Sequence, residues 1–381
     1  MRMAMTVANF SAGEAEELRR ACGAKRSRAA MQGVEENLRR GMNKNGITGD
    51  VQDRIVKSIT SFAMYGFPES HAASFALLAY ASGYLKIHYL AAYTVAMLNN
   101  QPMGFYAPMT LVKDAQRHGL HFLPVDIQQS QWACTLEPDG KGEVCVRLGF
   151  NYIRSFRRET AEAVIAARNQ APFTSMHDLC ERVSELNKKE LRNLSAAGAL
   201  HHISPHRAIT RRDALWDAEL VSRPAGPLLG QIEEPHGPSP LEQMTEMDRV
   251  VTDLKLTGVT IGKHPITFLR DRLARWGVTP VAALGRLHNN ALVQVAGVVI
   301  CRQRPGTGKG IVFLSLEDET GIANVIVMPD LFEKARATIV NFPALYIIGL
   351  LQNLESSVSV KALKVVPLEI AKASIKSHDF R

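Results

Sequence analysis

The chain has 381 residues, 46% of them hydrophobic, and a formal net charge of +8. That length exceeds one ordinary core, so two to four domains are expected, and the mild basic excess admits a polyanion partner without demanding one. Five scattered cysteines without a CxxC pair exclude a disulfide framework and a thiolate metal site, and the longest apolar run, Ala72 to Leu85, is too short to span a bilayer.

No signal-peptide block opens the chain, so a reducing cytosol is the expected compartment, with no membrane partner. Helical text follows. Ser11 reads as an N-cap with Glu14 three residues on, the capping-box spacing. A second helix is predicted over 29–43, ending near Asn45-Gly46. A third opens near Asp50 and carries Val51, Ile55, Ile59 and Phe62 on one face. Tyr65 to His71 forms a turn, and a long apolar, buried helix is expected from about Ala72. Another helix covers about 104–118. The pattern then changes to short extended pieces at 122–127, 132–136 and 144–148.

Short helices return at about 158–169, 175–183, 187–197 and 204–216. Five prolines and three glycines in 222–240 mark a linker. After a helix near 264–275 the apolar period drops to two. Strands are predicted at 292–300, 311–317 and 322–328, a helix at 329–340, and strands at 344–351 and 358–366. Three strands, a helix and two strands is the order of an OB-type β-barrel. Gly297 marks a bulge or a close approach. The charge is uneven: +4 over 1–65, +5 over 147–216 and zero over 291–370. The excess lies in helical regions and not in the barrel.

Several segments carry candidate chemistry. Arg304 to Gly310 looks like a phosphate loop but has Gln303 where the first glycine belongs and Gly310 after the lysine, and it joins two strands. It reads instead as a first barrel loop on which Arg302, Arg304 and Lys309 meet a nucleic-acid backbone or solvent. Two segments suit helix-hairpin-helix units, which aim backbone amides at phosphate: Ile153 to Arg157, with Arg154, Arg157 and Arg158, and Glu185 to Lys189, with Lys188 and Lys189. Neither carries Gly-apolar-Gly, so phosphate-binding and purely structural helices both stay open. Ser70 and His71 stand either as a ligand-facing pair or as packed residues beside the apolar helix. His201, His202 and His206 lack a fourth ligand, so no metal site is expected. Asp318 and Glu319 are expected to be solvated in a hairpin turn. No paired carboxylates suit two-metal chemistry, and no catalytic residue is assigned.

The segment Tyr65-Gly-Phe-Pro-Glu-Ser-His-Ala-Ala-Ser-Phe-Ala-Leu-Leu78 resembles the fingers of the bacterial DNA polymerase III alpha subunit, and more closely those of its error-prone paralogue. Phe10 to Arg20, Leu98 to Pro108, Leu123 to Asp126, Gln303 to Gly310 and Leu316 to Asn324 are similar as well, so the likeness runs through nearly the whole chain in order. The resemblance implies a multi-domain α plus β layout. The end of the fingers covers 1–120, an extended connector 121–150, and a tandem helix-hairpin-helix-like module 151–221. A Pro/Gly-rich linker at 222–245, a helical connector at 246–290, an OB-fold domain at 291–370 and a tail at 371–381 complete it.

The resemblance also implies low-fidelity synthesis across damaged DNA in a bacterial cytoplasm, with Mg²⁺ serving the full-length family. Implied partners are primer-template and single-stranded DNA, accessory mutagenesis proteins (an inactive Y-family-like polymerase and a RecA-like protein) and the sliding clamp. Ser70, His71 and Lys86 would face nucleotide or DNA. The family's palm carboxylates have no counterpart here, so the chain reads as a C-terminal fragment or a truncated gene product that does not polymerise alone. The other reading is a protein-interaction module that docks accessory proteins and touches DNA little.

Overall fold

The computed structural model describes residues 2–21, 28–65, 69–104, 107–140, 142–221, 239–306, 308–354, 357–370 and 378–380. Helices come first: α1 (Arg2–Ala8), α2 (Ala12–Ala21), α3 (Arg28–Lys44) and α4 (Gly49–Tyr65). Ser11 caps α2 as the sequence predicts. Its N–H and Oγ each donate to Glu14 Oε2 at 2.8 Å, and Glu14 N–H donates back to Ser11 Oγ at 3.3 Å. Ala4, Phe10, Leu18, Leu38, Met42 and Val56 form the core of this group. Gly41 lets α3 cross α1, since a Cβ there would lie 2.1 Å from Ala8 O.

Helix α5 (Glu69–His88) corrects the expectation of a buried helix. It is apolar on every side, yet Phe75, Leu77, Leu78, Tyr80 and Ile87 are all exposed. Composition told that such a helix seeks cover; the described residues supply none beyond its last turns, where Lys86 Nζ pairs with Asp114 Oδ2 at 2.7 Å. No helix among the described residues is long and apolar enough to cross a membrane.

Helices α6 (Leu90–Asn99) and α7 (Pro108–Arg117) join a second core with a small sheet, β1 (Phe122–Leu123), β2 (Thr135–Pro138) and β3 (Val144–Arg147), in the order β1-β3-β2. The same core takes in α8 (Arg158–Gln170), α9 (Met176–Arg182), α10 (Lys188–Ala197) and α11 (Arg211–Val221). Phe150, Phe173, Leu179, Leu194 and Leu200 are among its fully buried side chains. Helix α11 begins seven residues later than the predicted 204–216. The stretch 201–210 turns back on itself instead, with Ile209 N–H donating to His201 O at 2.9 Å, and Thr210 and Asp213 bond reciprocally at the helix start. The predicted linker at 222–245 falls outside the described residues over 222–238.

Two further helices follow, α12 (Glu246–Leu256), opened by a Thr245–Asp248 capping box, and α13 (Arg270–Arg275). They lead into the barrel: β4 (Leu292–Gln303), β5 (Val312–Glu317), β6 (Ile322–Val327), α14 (Pro329–Asn341), β7 (Ala344–Leu354) and β8 (Ser357–Pro367). The sheet runs β5-β6-β8-β7-β4 and closes through β4–β5. Only β6–β8 is parallel among these five strands. That is an OB-type barrel. Val295, Leu314, Val325, Ile347 and Val360 fill its interior. Gly297 is a point of close approach, because a Cβ there would meet Glu317 O at 2.8 Å; the bulge in β4 lies further on, between Val299 and Cys301. A short strand, β9 (His378–Phe380), adds to the barrel by pairing parallel with the end of β4.

Candidate nucleic-acid interface

The hairpin at Ile153–Arg157 forms without glycine. Ser155 takes the left-handed conformation, φ 58°, that glycine ordinarily supplies, Phe156 is buried, and Arg157 is the N-cap of α8. The second hairpin joins α9 to α10 and ends on the Asn187–Glu190 capping box. The two adjoin. Asn193 Nδ2 donates to Arg154 O at 2.8 Å, and Arg157 Nη2 donates to Glu185 O.

Glu190 locks them together. Its carboxylate accepts from Arg157 N–H at 3.0 Å, from Arg157 Nε and Nη2 at 2.9 Å each, from Thr160 Oγ1 at 3.2 Å and from Asn187 N–H at 3.2 Å. Burial works against the charge, but the bonds from Arg157 and Asn187 prevail and hold this carboxyl below its ordinary value. Of the hairpin candidates, Arg157 is therefore engaged internally. Arg158 pairs with Glu162 at 2.8 Å, and Lys188 with Glu219 at 3.0 Å, both on the surface. Arg154 and Lys189 are exposed. The structure thus gathers Arg154, Arg158, Lys188 and Lys189 on two touching, solvent-facing hairpins.

The loop candidates of the barrel divide. Arg302 lies on β4, not on a loop, and donates through Nε to Ile339 O and through Nη2 to Phe342 O, at 2.6 Å each. Arg304 stacks over Phe332, 4.8 Å from the ring centroid, and reaches Glu333 at 3.7 Å. Both are drawn to α14, whose open carbonyls and aromatic ring give the guanidinium groups nearer partners than solvent. Lys309 is exposed. Sequence reasoning passed over the outer face of the barrel itself. Strand pairing sets Gln303, Phe313, Ile326 and Lys361 in one row across four strands, beside Cys301, Ser315, Asn324 and Ser359. Phe313 is exposed between two buried neighbours, so period-two alternation held the signal.

In the fingers segment, His71 lies within the first turn of α5 and stacks on Phe75, ring centroids 4.4 Å apart. The Ser70 side chain and residues 66–68 lie outside the described residues. Lys86 is the partner of Asp114. The three are not brought to one place: His71 and Lys86 stand at opposite ends of α5. His202 Nδ1 contacts Asp126 Oδ2 at 2.7 Å and His201 Nδ1 contacts Ile209 O at 2.9 Å; no metal-holding cluster occurs among the described residues.

A buried polar cluster joins the barrel to α7. Arg117 Nη1 and Nη2 donate to Glu317 Oε1 at 3.0 Å, Lys113 Nζ to Gly262 O at 2.5 Å, and Gln116 Nε2 to Ile261 O at 2.8 Å. Burial pushes the Glu317 carboxyl up to about 7, against the pull of Arg117 and Lys113, and pushes Lys113 down to about 8. His264 sits 3.9 Å from Glu317, but burial and the nearby cations push it down to about 3, so it stays neutral. Asp318 and Glu319 correct the expectation of a solvated turn. Asp318 is 1% exposed and accepts from Arg270 at 2.9 Å and from Val281 N–H at 3.0 Å, while Glu319 accepts from Arg270 at 2.5 Å. The reason is distant: Arg270 is brought over the turn by α13.

Known proteins fit this architecture. Residues 119–210 match the family model described as helix-hairpin-helix motif, and residues 1–46 match the bacterial DNA polymerase III alpha subunit finger domain. Beyond these two segments, the chain as a whole is similar to part of known DNA polymerases. Along its whole length it is a partial-length match to the error-prone DNA polymerases. It is 42% identical to that of Anaeromyxobacter sp. (strain K), 41% to that of Azoarcus sp. (strain BH72) and 38% to error-prone DNA polymerase 2 of Rhizobium meliloti (strain 1021). In each case all of this chain is covered, against 34%, 36% and 35% of the relative. The chain thus spans about a third of the length of the curated relatives it matches.

Proposed function

We propose that this chain is the DNA-gripping part of an error-prone DNA polymerase that acts in damage-induced translesion replication. The observation that carries the reading is the pair of locked, solvent-facing hairpins with Arg154, Arg158, Lys188 and Lys189 at their surface. Exposed cations and first-turn amides hold phosphates without reading sequence. The barrel face around Phe313 holds single-stranded template by stacking. Phosphoryl transfer, with its Mg²⁺, belongs to carboxylates not found among the residues assigned here. The proposed division is fingers end, extended connector, hairpin module, linker, helical connector and barrel, with α6 and α7 of the fingers segment sharing one core with the hairpin module. Accessory mutagenesis proteins and the sliding clamp are partners of the whole polymerase in this reading.

The test is fluorescence anisotropy with labelled primer-template across a salt series. Each phosphate contact steepens the slope of log K against log salt by about 0.9, so the fourfold variant R154A/R158A/K188A/K189A flattens it by about 3.6. An unchanged slope overturns the hairpin assignment. Primer extension with dNTPs and Mg²⁺ is expected to give no product from this chain alone.

A second reading, a docking module that touches DNA little, is favoured by one observation: Arg302 and Arg304 are spent on internal partners in a barrel segment of zero net charge. Salt-independent binding, or none, would support it.

A further inference from the structure

Strand β4 changes partner along its length. Leu292 to Val298 pair with β7, and Val299 N–H still donates to Pro343 O at 2.8 Å. Past that point β7 has left, and β9 takes the same edge, pairing parallel at Cys301, Arg302 and Gln303. A strand edge offers unpaired N–H and C=O groups to any extended chain, and here a three-residue strand already uses it. Arg302 and Gln303 also line a cavity of about 740 Å³ between β4 and α14. Its lining is apolar at Val312, Phe332 and Ile339. Its cations, with Lys334 and Arg336 exposed, outnumber Glu333.

We propose that this edge and cavity form a docking site for an extended segment of a partner protein with alternating acidic and apolar or aromatic residues, which adds to β4 as a strand, with residues 378–380 as its tethered competitor. The inference goes beyond the DNA reading and does not depend on it. Strand addition turns every second side chain to the same face, so an alternating segment sets its acidic residues against the cations. The resident strand has that character: register sets Asp379 opposite Arg302, between His378 and Phe380. Nucleic acid suits the site less: it has no peptide backbone to continue a sheet, and the floor is apolar at Val312, Phe332 and Ile339.

The test uses the full chain and a chain shortened to Ile370, with a labelled octapeptide of alternating Asp and Phe read by anisotropy. A tethered competitor acts at high effective concentration, so the shortened chain should bind at least about ten-fold tighter than the full chain. Lys334→Glu with Arg336→Glu, both on the exposed side of α14, should weaken binding to the shortened chain about ten-fold or more. Three outcomes overturn the proposal: no binding to the shortened chain, equal binding of an alternating Lys and Phe octapeptide, or displacement of the peptide by oligo-dT at equal concentration, which would assign the groove to nucleic acid. Matching circular dichroism and thermal melts of the shortened and full chains rule out misfolding as the cause of a negative result.

Discussion

Replacing Arg117 by Met tests whether the barrel is held to α7 by charge. Glu317 is 1% exposed, and Arg117 is the only guanidinium bonded to it among the described residues. A buried ion left without its partner costs about 3–5 kcal/mol. The pH sign follows from Glu317. Its folded pKa of about 7 lies above the ordinary 4.5, so its contribution favours folding most below pH 4.5 and is lost as pH rises toward 7. By that shift the loss is about 3 kcal/mol in the native chain. Without Arg117 the folded pKa rises further, so the loss continues above 7. Because Glu317 can take up a proton instead of staying an unpaired ion, R117M should destabilise by about 1 kcal/mol more at pH 7.5 than at pH 5, where Glu317 is protonated in either protein. His264, lowered to about 3, opposes this trend below pH 6.5, but in native chain and variant alike, so it largely cancels in the difference. Lys113, lowered to about 8, enters only above the range used. Urea unfolding at the two pH values measures the difference. Equal destabilisation at both would refute the electrostatic account and leave packing as the cause.

Ser155→Gly should stabilise the hairpin module by about 1 kcal/mol by relieving the left-handed backbone, whereas Ser155→Val should destabilise it; identical urea midpoints would remove the strain argument. Gly41→Ala should cost about 1–3 kcal/mol, because its methyl group meets the backbone of α1, and an unchanged melt would show that the crossing has slack. Phe313→Ala should weaken single-stranded DNA binding by about 1–3 kcal/mol if the barrel face stacks a base, with little effect on the salt slope. Loss of binding on the hairpin variant alone would confine DNA to the hairpins.

The barrel was legible because its residues obey one short-range rule. Buried and exposed positions alternate at Val312, Phe313 and Leu314, and the strand ends lie within three residues of the pattern. Helix α10 was legible too, since Asn187 and Glu190 stand at capping spacing. What escaped was set by distance. Glu317 is bonded to a residue 200 positions away, and Arg270 reaches Asp318 across 48, so charges beside Gly321 looked like a solvated turn. Arg302 and Arg304 looked free because α14, which absorbs them, comes later in the chain. The hairpin at Ile153 to Arg157 was legible as a candidate, but Ser155 left its nature open, because pattern reading asks for glycine where backbone conformation is what matters. Helix α5 misled in the other direction: an apolar composition announces a need for cover without saying where the cover comes from.

The Glu190 bonds have a mechanical consequence. A carboxylate that ties Arg157, Thr160 and Asn187 into one knot keeps two surface loops from drifting apart. Any polyanion lying across both must present its charges at that one separation. A regular double helix does so repeatedly along its length, whereas a limp strand must first be bent to fit. If the chain holds DNA as proposed, the knot would fix the spacing of its two loops without reading the order of bases.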